Sequence, residues 1–363
     1  VASYTRIDPQ PKVPFGEQAF QLGANNNYDA HLAVQYNLLD FGRNQATINT
    51  AIAQGQSAAD NITVTQRDLA YGAVQVYYGI LFLRQSIKVQ DEQIASLVAH
   101  RNEMQKRVQG GVSTQFDVTT TQVRITQAEN TKIDLQNQLH NQQVELARLL
   151  HRPEYAEVPV RGSFQYTPAQ VNVQAVLAQA TQNRPELKLS RDAENTATAQ
   201  LRLVEKSNLP SLGLTAQAGG RNGYIVPNLE RVRPNSIVGA QLSVPIYDGN
   251  RNKNQRVEAN AQIRAAQART EETQEQVRAD VFEAVNNIQA NAARYDNAQV
   301  QINQATDAMN RARARYRYGV GTNLDVLDAE TQLAQSRLAR IQALYNYTIG
   351  QYQLKRAAGE QIW

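Results

Sequence analysis

The chain repeats itself at a fixed distance, and that repeat limits the folds open to it. Asp40-Phe41-Gly42-Arg43 returns as Asp248-Gly249-Asn250-Arg251. Gly111-Val112-Ser113-Thr114-Gln115-Phe116-Asp117-Val118 returns as Gly319-Val320-Gly321-Thr322-Asn323-Leu324-Asp325-Val326. Both pairs lie 208 residues apart, and in each copy the first Asp precedes the second by 77 residues. Two motifs held at one offset without insertion mark a duplicated structural unit.

Proline placement says what that unit is. The 11 prolines leave two long stretches free, residues 15–152 and 246–363. Proline breaks helices, and these stretches are rich in Ala, Gln, Glu and Arg, which favour them. The run from about Asn44 to Gln109 predicts one helix on the order of 100 Å long at ~1.5 Å per residue. Stepping by seven from Ala73 gives Ile80, Ile87, Ile94, Arg101 and Val108. From Leu69 the same step gives Val76, Leu83, Gln90, Leu97 and Met104. That a/d seam has two polar interruptions and packs the helix along a partner. At the 208 offset it continues as Val281, Ile288, Tyr295, Ile302 and Tyr316. The unit is a long helical hairpin, present twice.

The turns carry matching signals. Gly110-Gly111 and Gly319 stop the ascending helices, because glycine tolerates the left-handed conformation after a helix end. Thr114 and Thr322 are placed to cap the returning helices, with Asp117 and Asp325 three residues on, as in a capping box. The returning helices are expected to end near Leu150 and Ala358, and a further helix is read over 186–208, before Leu209-Pro210.

Short alternating segments frame each hairpin. Leu32, Val34, Tyr36 and Leu38 alternate with polar or small residues; so do Leu212, Leu214, Ala216 and Ala218, and Val238, Ala240, Leu242, Val244 and Ile246. Each is about ten residues, the length of a tilted membrane strand. Tyr4, Phe15, Phe20, Tyr28, Tyr36, Tyr224 and Tyr247 gather in the same regions, where aromatic girdles belong. No window approaches the ~20 apolar residues of a membrane helix, so a membrane crossing would have to use strands. Four strands cannot close a barrel within one chain, and this reading therefore demands an oligomer.

Composition excludes other classes. With no Cys there is no disulfide framework and no thiolate site, and the four His residues are scattered without ligand spacing, so no metal or cofactor is expected. No Gly-rich phosphate loop follows a strand, and the chain is not read as an enzyme. The net charge of +4 is mild, and the arginines at 311, 313, 315 and 317 spread around a helix, which argues against a nucleic-acid partner. On periodicity alone, a soluble trimeric coiled-coil scaffold is the alternative, but it leaves the strands and aromatics without a use.

The chain resembles the TolC family of bacterial outer-membrane channel proteins. The resemblance rests on Leu242-Ser243-Val244-Pro245-Ile246-Tyr247-Asp248-Gly249, Gly321-Thr322-Asn323-Leu324-Asp325-Val326-Leu327-Asp328-Ala329-Glu330, Tyr345-Asn346-Tyr347 and Asn183-Arg184-Pro185-Glu186-Leu187, and it covers nearly the whole chain. It implies a mainly α fold with a small β part. In a homotrimer, duplicated helical hairpins would form an α-barrel, and four strands per protomer would build a shared 12-stranded transmembrane β-barrel beside a small equatorial domain. Residues 1–41 would be the first strand pair, 42–150 the first periplasmic hairpin and 151–185 the equatorial segment. Residues 186–209 would be a single helix, 210–247 the second strand pair, 248–358 the second hairpin and 359–363 the C-terminal end. The implied role is a passive exit duct in the outer membrane, with a large periplasmic part. It would serve efflux of small molecules or type I secretion of polypeptides, through a periplasmic adaptor protein and an inner-membrane transporter.

By the same resemblance, Asp325 and Asp328 line a periplasmic gate; spaced i, i+3, they share a helix face, and threefold symmetry would gather six carboxylates. Asp117 and Tyr318 are candidates for polar links at the gate. The first hairpin has Thr120 where the second has Asp328, so the two are not equivalent. The tips Gly110, Gly111, Val112, Thr114, Gly319, Val320, Gly321 and Thr322 are the expected adaptor contacts. Helix 186–208 has no counterpart before the first strands. The chain is therefore expected to be trimmed at its start, with a signal peptide and any lipidated Cys in the missing part, and to lack an equatorial tail after Trp363.

Overall fold

The computed structural model describes residues 1–9, 12–15, 18–21, 23–152, 159–168, 170–223 and 228–362. Along the chain run β1 (Ala2–Arg6), β2 (Lys12–Phe15), β3 (Gln18–Gln21), β4 (Asn26–Leu39), α1 (Arg43–Gln109) and α2 (Gln115–Leu149). They are followed by α3 (Val173–Asn183), α4 (Pro185–Lys206), β5 (Ser211–Arg221), β6 (Arg233–Ser243), α5 (Arg251–Arg317) and α6 (Asn323–Ala358). The repeat is kept to the residue: α1 and α5 are both 67 residues long and begin 208 apart. The returning helices begin at the same offset, at Gln115 and Asn323.

Two compact units divide the chain: Val1–Ser57 with Arg191–Ala268, and Ala58–Ser190 with Arg269–Trp363. The first holds an antiparallel sheet in the order β1-β4-β5-β6, and among the described residues β2 pairs with β3 alone. Phe15 and Phe20 fall in that small pair, and Tyr224 lies outside the described residues. Register sorts the sheet's side chains, because residues directly opposed on antiparallel strands share a face. Leu32, Val34 and Tyr36 stand opposite Ala218, Ala216 and Leu214. Those in turn stand opposite Ser236, Val238 and Ala240. The other face carries Gln35 with Thr215 and Gly239, and Asn37 with Gly213 and Gln241. The apolar face is bare: Leu32 is 79% exposed and Val238 84%. Tyr28, whose ring meets that of Tyr4 at 5.2 Å, and Tyr36 are eight residues apart on this face. That is about 27 Å along the strand, close to the ~25 Å apolar band of a membrane barrel.

Each strand turns into its long helix through two successive left-handed residues, Phe41 and Gly42 in the first copy and Gly249 and Asn250 in the second. Backbone conformation is conserved at both positions while the glycine moves from one to the other, which explains why Asp-Phe-Gly-Arg repeats as Asp-Gly-Asn-Arg. The Asp is constant because it caps: Asp40 accepts from the Gly42 and Asn44 N–H groups, and Asp248 from Asn252.

The second unit has several small apolar clusters strung along its helices rather than one core. Leu97, Ile125, Ala128 and Leu327 form one, and Met104, Val118, Tyr316 and Val326 another. The predicted seam is buried from Ile80 through Leu83, Gln90, Leu97 and Met104, but Leu69 is exposed. A helix not anticipated within 151–185, α3, starts at Asn172, whose side chain accepts from the Gln174 and Ala175 N–H groups. It stops at Arg184 because Pro185 forces its predecessor into extended conformation. The stretch before α3 is tied to the helices through its backbone: Arg84 donates to Val160 O at 2.6 Å, Tyr77 to Arg161 O, and Tyr347 to Thr167 O at 2.7 Å. Arg184 is buried and bonds Glu186 and Asp280, and Arg67 donates to the Arg356 carbonyl at the end of α6. That network gives Asn183-Arg184-Pro185-Glu186-Leu187 its structural meaning.

Candidate functional site: the paired helical turns

Both hairpin turns are built alike. Gly111 and Gly319 take φ of 73° and 75°. Gly111 N–H bonds Val108 O and Val112 N–H bonds Arg107 O; Gly319 and Val320 bond Tyr316 O and Arg315 O in the same pattern. This is the Schellman arrangement, which satisfies the last carbonyls of the ascending helix. Complete capping boxes follow, Thr114 with Asp117 and Thr322 with Asp325.

The carboxylates then diverge. Asp117 Oδ2 accepts from Thr114 N–H, Thr114 Oγ1 and Ser113 Oγ, so it is held within its own turn. Gly321 stands where Ser113 does. Asp325 accepts from Thr322 N–H at 2.8 Å and is open to solvent on its remaining side. The Thr322 backbone N–H, and then its hydroxyl, hold that carboxyl below the ordinary Asp range. Asp328 is also exposed and bridges the hairpins through Arg124 at 3.3 Å. Tyr318 is 83% exposed and points away from the packed helices, as do Val112 and Val320. Gly110 N–H closes the last turn of α1 onto Lys106 O.

Besides the Arg124–Asp328 bridge, the hairpins are joined by buried polar contacts of His100, Asn323 and Glu330, whose roles the sequence did not single out. His100 Nε2 lies 2.7 Å from Asn323 Oδ1. The amide of Asn323 donates to Asp117 O, Thr120 Oγ1 and Thr121 Oγ1. His100, Thr121 and Asn323 are all buried. Glu330, 4% exposed, accepts from Ser96 Oγ at 2.8 Å and pairs with Arg313. Tyr316, and not Tyr318, is the packed tyrosine: its hydroxyl reaches Met104 Sδ and Ser113 Oγ, and Arg107 lies 5.0 Å from its ring centre. The one available signal was divergence between the copies, since Asn323 and Glu330 replace Gln115 and Gln122 of the first hairpin.

The family model for outer membrane efflux proteins matches residues 17–151 and 176–360. The chain belongs to the outer membrane efflux protein family. Among curated family relatives, it is 26% identical over 313 residues to the outer membrane protein TolC of Escherichia coli, covering 81% of this chain and 62% of that protein. It is 26% identical over 345 residues to the alkaline protease secretion protein AprF of Pseudomonas aeruginosa, covering 92% and 70%. Among solved structures of efflux family folds, the outer membrane protein VceC of Vibrio cholerae superposes with a TM-score of 0.77 at 21% identity, over 100% of this chain and 86% of that one. The chain therefore spans about six tenths of the Escherichia coli relative.

Proposed function

We propose that this efflux-family chain is one third of a passive exit duct in the bacterial outer membrane. Three copies join their four-stranded sheets into a 12-stranded barrel, and the helical hairpins form a tube in the periplasm. The duct carries small molecules or secreted polypeptides delivered by an inner-membrane transporter through a periplasmic adaptor protein. The observation that carries this reading is the sheet. Its outer strands β1 and β6 each lack a neighbour on one side among the described residues, and one face is apolar and bare. Unpaired edges and a lipid-matched face are a liability in water and a requirement for a shared barrel in lipid. A coiled-coil scaffold would give neither feature a role. Among the described residues no helix is long and apolar enough to cross a membrane.

At the turns, Asp325 and Asp328 are proposed as the gate. They are exposed on one helix face, and three copies crowd six carboxylates around an axis, which favours cations and resists narrowing. Asp117 and Tyr318 contribute to the same constriction. The apolar, exposed tips, Gly110–Thr114 and Gly319–Thr322, are the adaptor contacts. Replacing Asp325 and Asp328 together with Ala should raise single-channel conductance in planar bilayers and weaken block by multivalent cations; unchanged conductance would remove the gate assignment. A bulky residue at Gly319 should impair adaptor crosslinking while leaving trimers intact.

A further inference from the structure

Helices α1 and α5 open with a charge that works against them. The N-terminal end of a helix carries partial positive charge and favours acids in its first turn. α2 has Asp117 there, α4 Glu186 and α6 Asp325. α1 and α5 have no acid in the first turn. Instead α1 begins with Arg43, and α5 with Arg251 followed by Lys253. The arginine is kept at the 208 offset, so both copies place a cation where the helix dipole opposes it. These are also the two helices that the sheet runs into: β4 leads to α1 and β6 toward α5, and at the same end α4 finishes at Lys206 just before β5.

The cations adjoin the bare apolar face of the sheet, and all of these residues belong to the first compact unit. Register ends that face in a row of leucines: Leu39 stands opposite Leu212, and Leu212 opposite Leu242. Past the row come exposed apolar and aromatic side chains, with Phe41 59% exposed, Ile246 95% and Tyr247 86%. Arg43, Lys206, Arg251 and Lys253 lie within 11 residues of the row along the chain and are all exposed. None of the four pairs with a carboxylate among the described residues. The acids at this end are Asp40, Glu205, Asp248 and Glu258. Asp40 and Asp248 are engaged by backbone N–H groups at the helix starts, and Glu258 accepts from Gln262 Nε2 at 3.4 Å. With Arg202 and Arg256 counted, the stretches 38–50, 202–212 and 242–258 hold six cations against those four acids. An apolar band, an aromatic fringe and then cations is the order of a membrane interface, where rings sit at headgroup level and Lys and Arg reach the phosphates.

We propose that Arg43, Lys206, Arg251 and Lys253 form a collar that binds the headgroups of anionic phospholipids where the helices leave the outer membrane. The inference rests on the reading of the sheet as part of a membrane wall, and three copies would close the collar into a ring. A phosphodiester is negative at any working pH, and its oxygens accept from guanidinium forks and ammonium groups. A lipid surface holds such groups in a layer beside the hydrocarbon, which matches cations set beside an apolar face. It also gives the inverted helix starts a partner: the lipid phosphate supplies to α1 and α5 the negative charge that Asp117 and Asp325 supply to α2 and α6.

The test is the heat stability of the native protein in neutral detergent, titrated with phosphatidylglycerol, with phosphatidylcholine or with soluble glycerol phosphate. At ~0.1 M KCl, half-maximal stabilisation should need about tenfold less phosphatidylglycerol than phosphatidylcholine. At ~1 M KCl the preference should largely vanish, as the Debye length falls from ~10 to ~3 Å. Arg43→Gln/Arg251→Gln/Lys253→Gln should lose the preference and respond to phosphatidylcholine as the native protein does; Arg43→Lys/Arg251→Lys should keep most of it. Without lipid the Gln variant should melt no lower than the native protein, because it removes cations from helix starts. Equal potency of the two lipids on the native protein overturns the collar whether or not the variants fold. So does a preference that is unchanged in the Gln variant or matched by glycerol phosphate, and so does a Gln variant that melts lower without lipid. A native protein that enters vesicles of neither lipid overturns the membrane reading itself.

Discussion

The two hairpin turns share a backbone and differ in what they do with a carboxylate. Each ends its ascending helix in a Schellman turn on a left-handed glycine, and each opens its returning helix with a Thr–Asp capping box. In the first, Ser113 and Thr114 absorb Asp117 into the turn. In the second, glycine replaces Ser113, Asp325 faces solvent, and Asp328 is added one helical turn on, where the first hairpin has Thr120. In these turns the duplicated fold kept its backbone code and changed side chains, and the carboxylates left open to solvent are those of the second copy.

The sharpest way to break that comparison is at buried polar contacts that only the second copy makes. Glu330→Ala removes the buried acceptor of Ser96 Oγ and of Arg313, whose own side chain is partly exposed. It should cost about 2 kcal/mol, as loss of a buried partner in a charge-assisted hydrogen bond does. Its counterpart Gln122 is exposed and accepts from Arg101, and Gln122→Ala should stay within about 0.5 kcal/mol. Thermal unfolding in detergent, followed by far-UV circular dichroism, compares them; equal losses would refute the asymmetry. Next in size is Asn323→Ala, which takes the Asn323 partner from buried His100, while the Thr120 and Thr121 hydroxyls keep their bonds to Asp117 O. A loss of about 2 kcal/mol is expected, against almost none for Gln115→Ala.

Where the copies agree, substitutions should cost the same. Gly111→Ala and Gly319→Ala each place a Cβ on a left-handed residue with open space around it. The strain is then purely of the backbone, about 1 kcal/mol in each turn. A cost at Gly319 well above that at Gly111 would show that the second turn carries strain the first does not.

What could be read in advance divides along the same line. Helix ends, capping boxes and the strand-to-helix aspartates are local codes, in which a Gly, a Thr or an Asp acts on backbone within four residues, and they repeat in the sequence as they do in the fold. Strand faces were legible because alternation has a period of two. His100 with Asn323 was not legible, because it depends on which face of α1 meets the start of α6, 223 residues later. The Arg67–Arg184–Glu186 network was hidden for the same reason, although its motif was conspicuous. Helix α3 was not legible within the equatorial segment 151–185 because its prolines argue against helix, whereas Pro185 only ends one helix and opens the next.

The smallest expected effect bears most directly on the proposed gate. Asp325 titrates below the ordinary Asp range in the folded chain because Thr322 donates to its charged form. A lowered folded value means that the cap stabilises fully above the unfolded pKa, near 3.9, and that this contribution is lost as the pH falls through the folded value. Asp325→Asn should therefore lower the melting temperature slightly at neutral pH, and the two proteins should converge in acid. Assembly works in the opposite direction, because carboxylates crowded around a threefold axis each raise the pKa of the others. Carboxyl NMR titration of the trimer and of dissociated protomers separates the two influences. An Asp325 value that rises on assembly identifies a ring of interacting charges, whereas one that stays low in both leaves Asp325 as a helix cap and passes the gate to Asp328 alone.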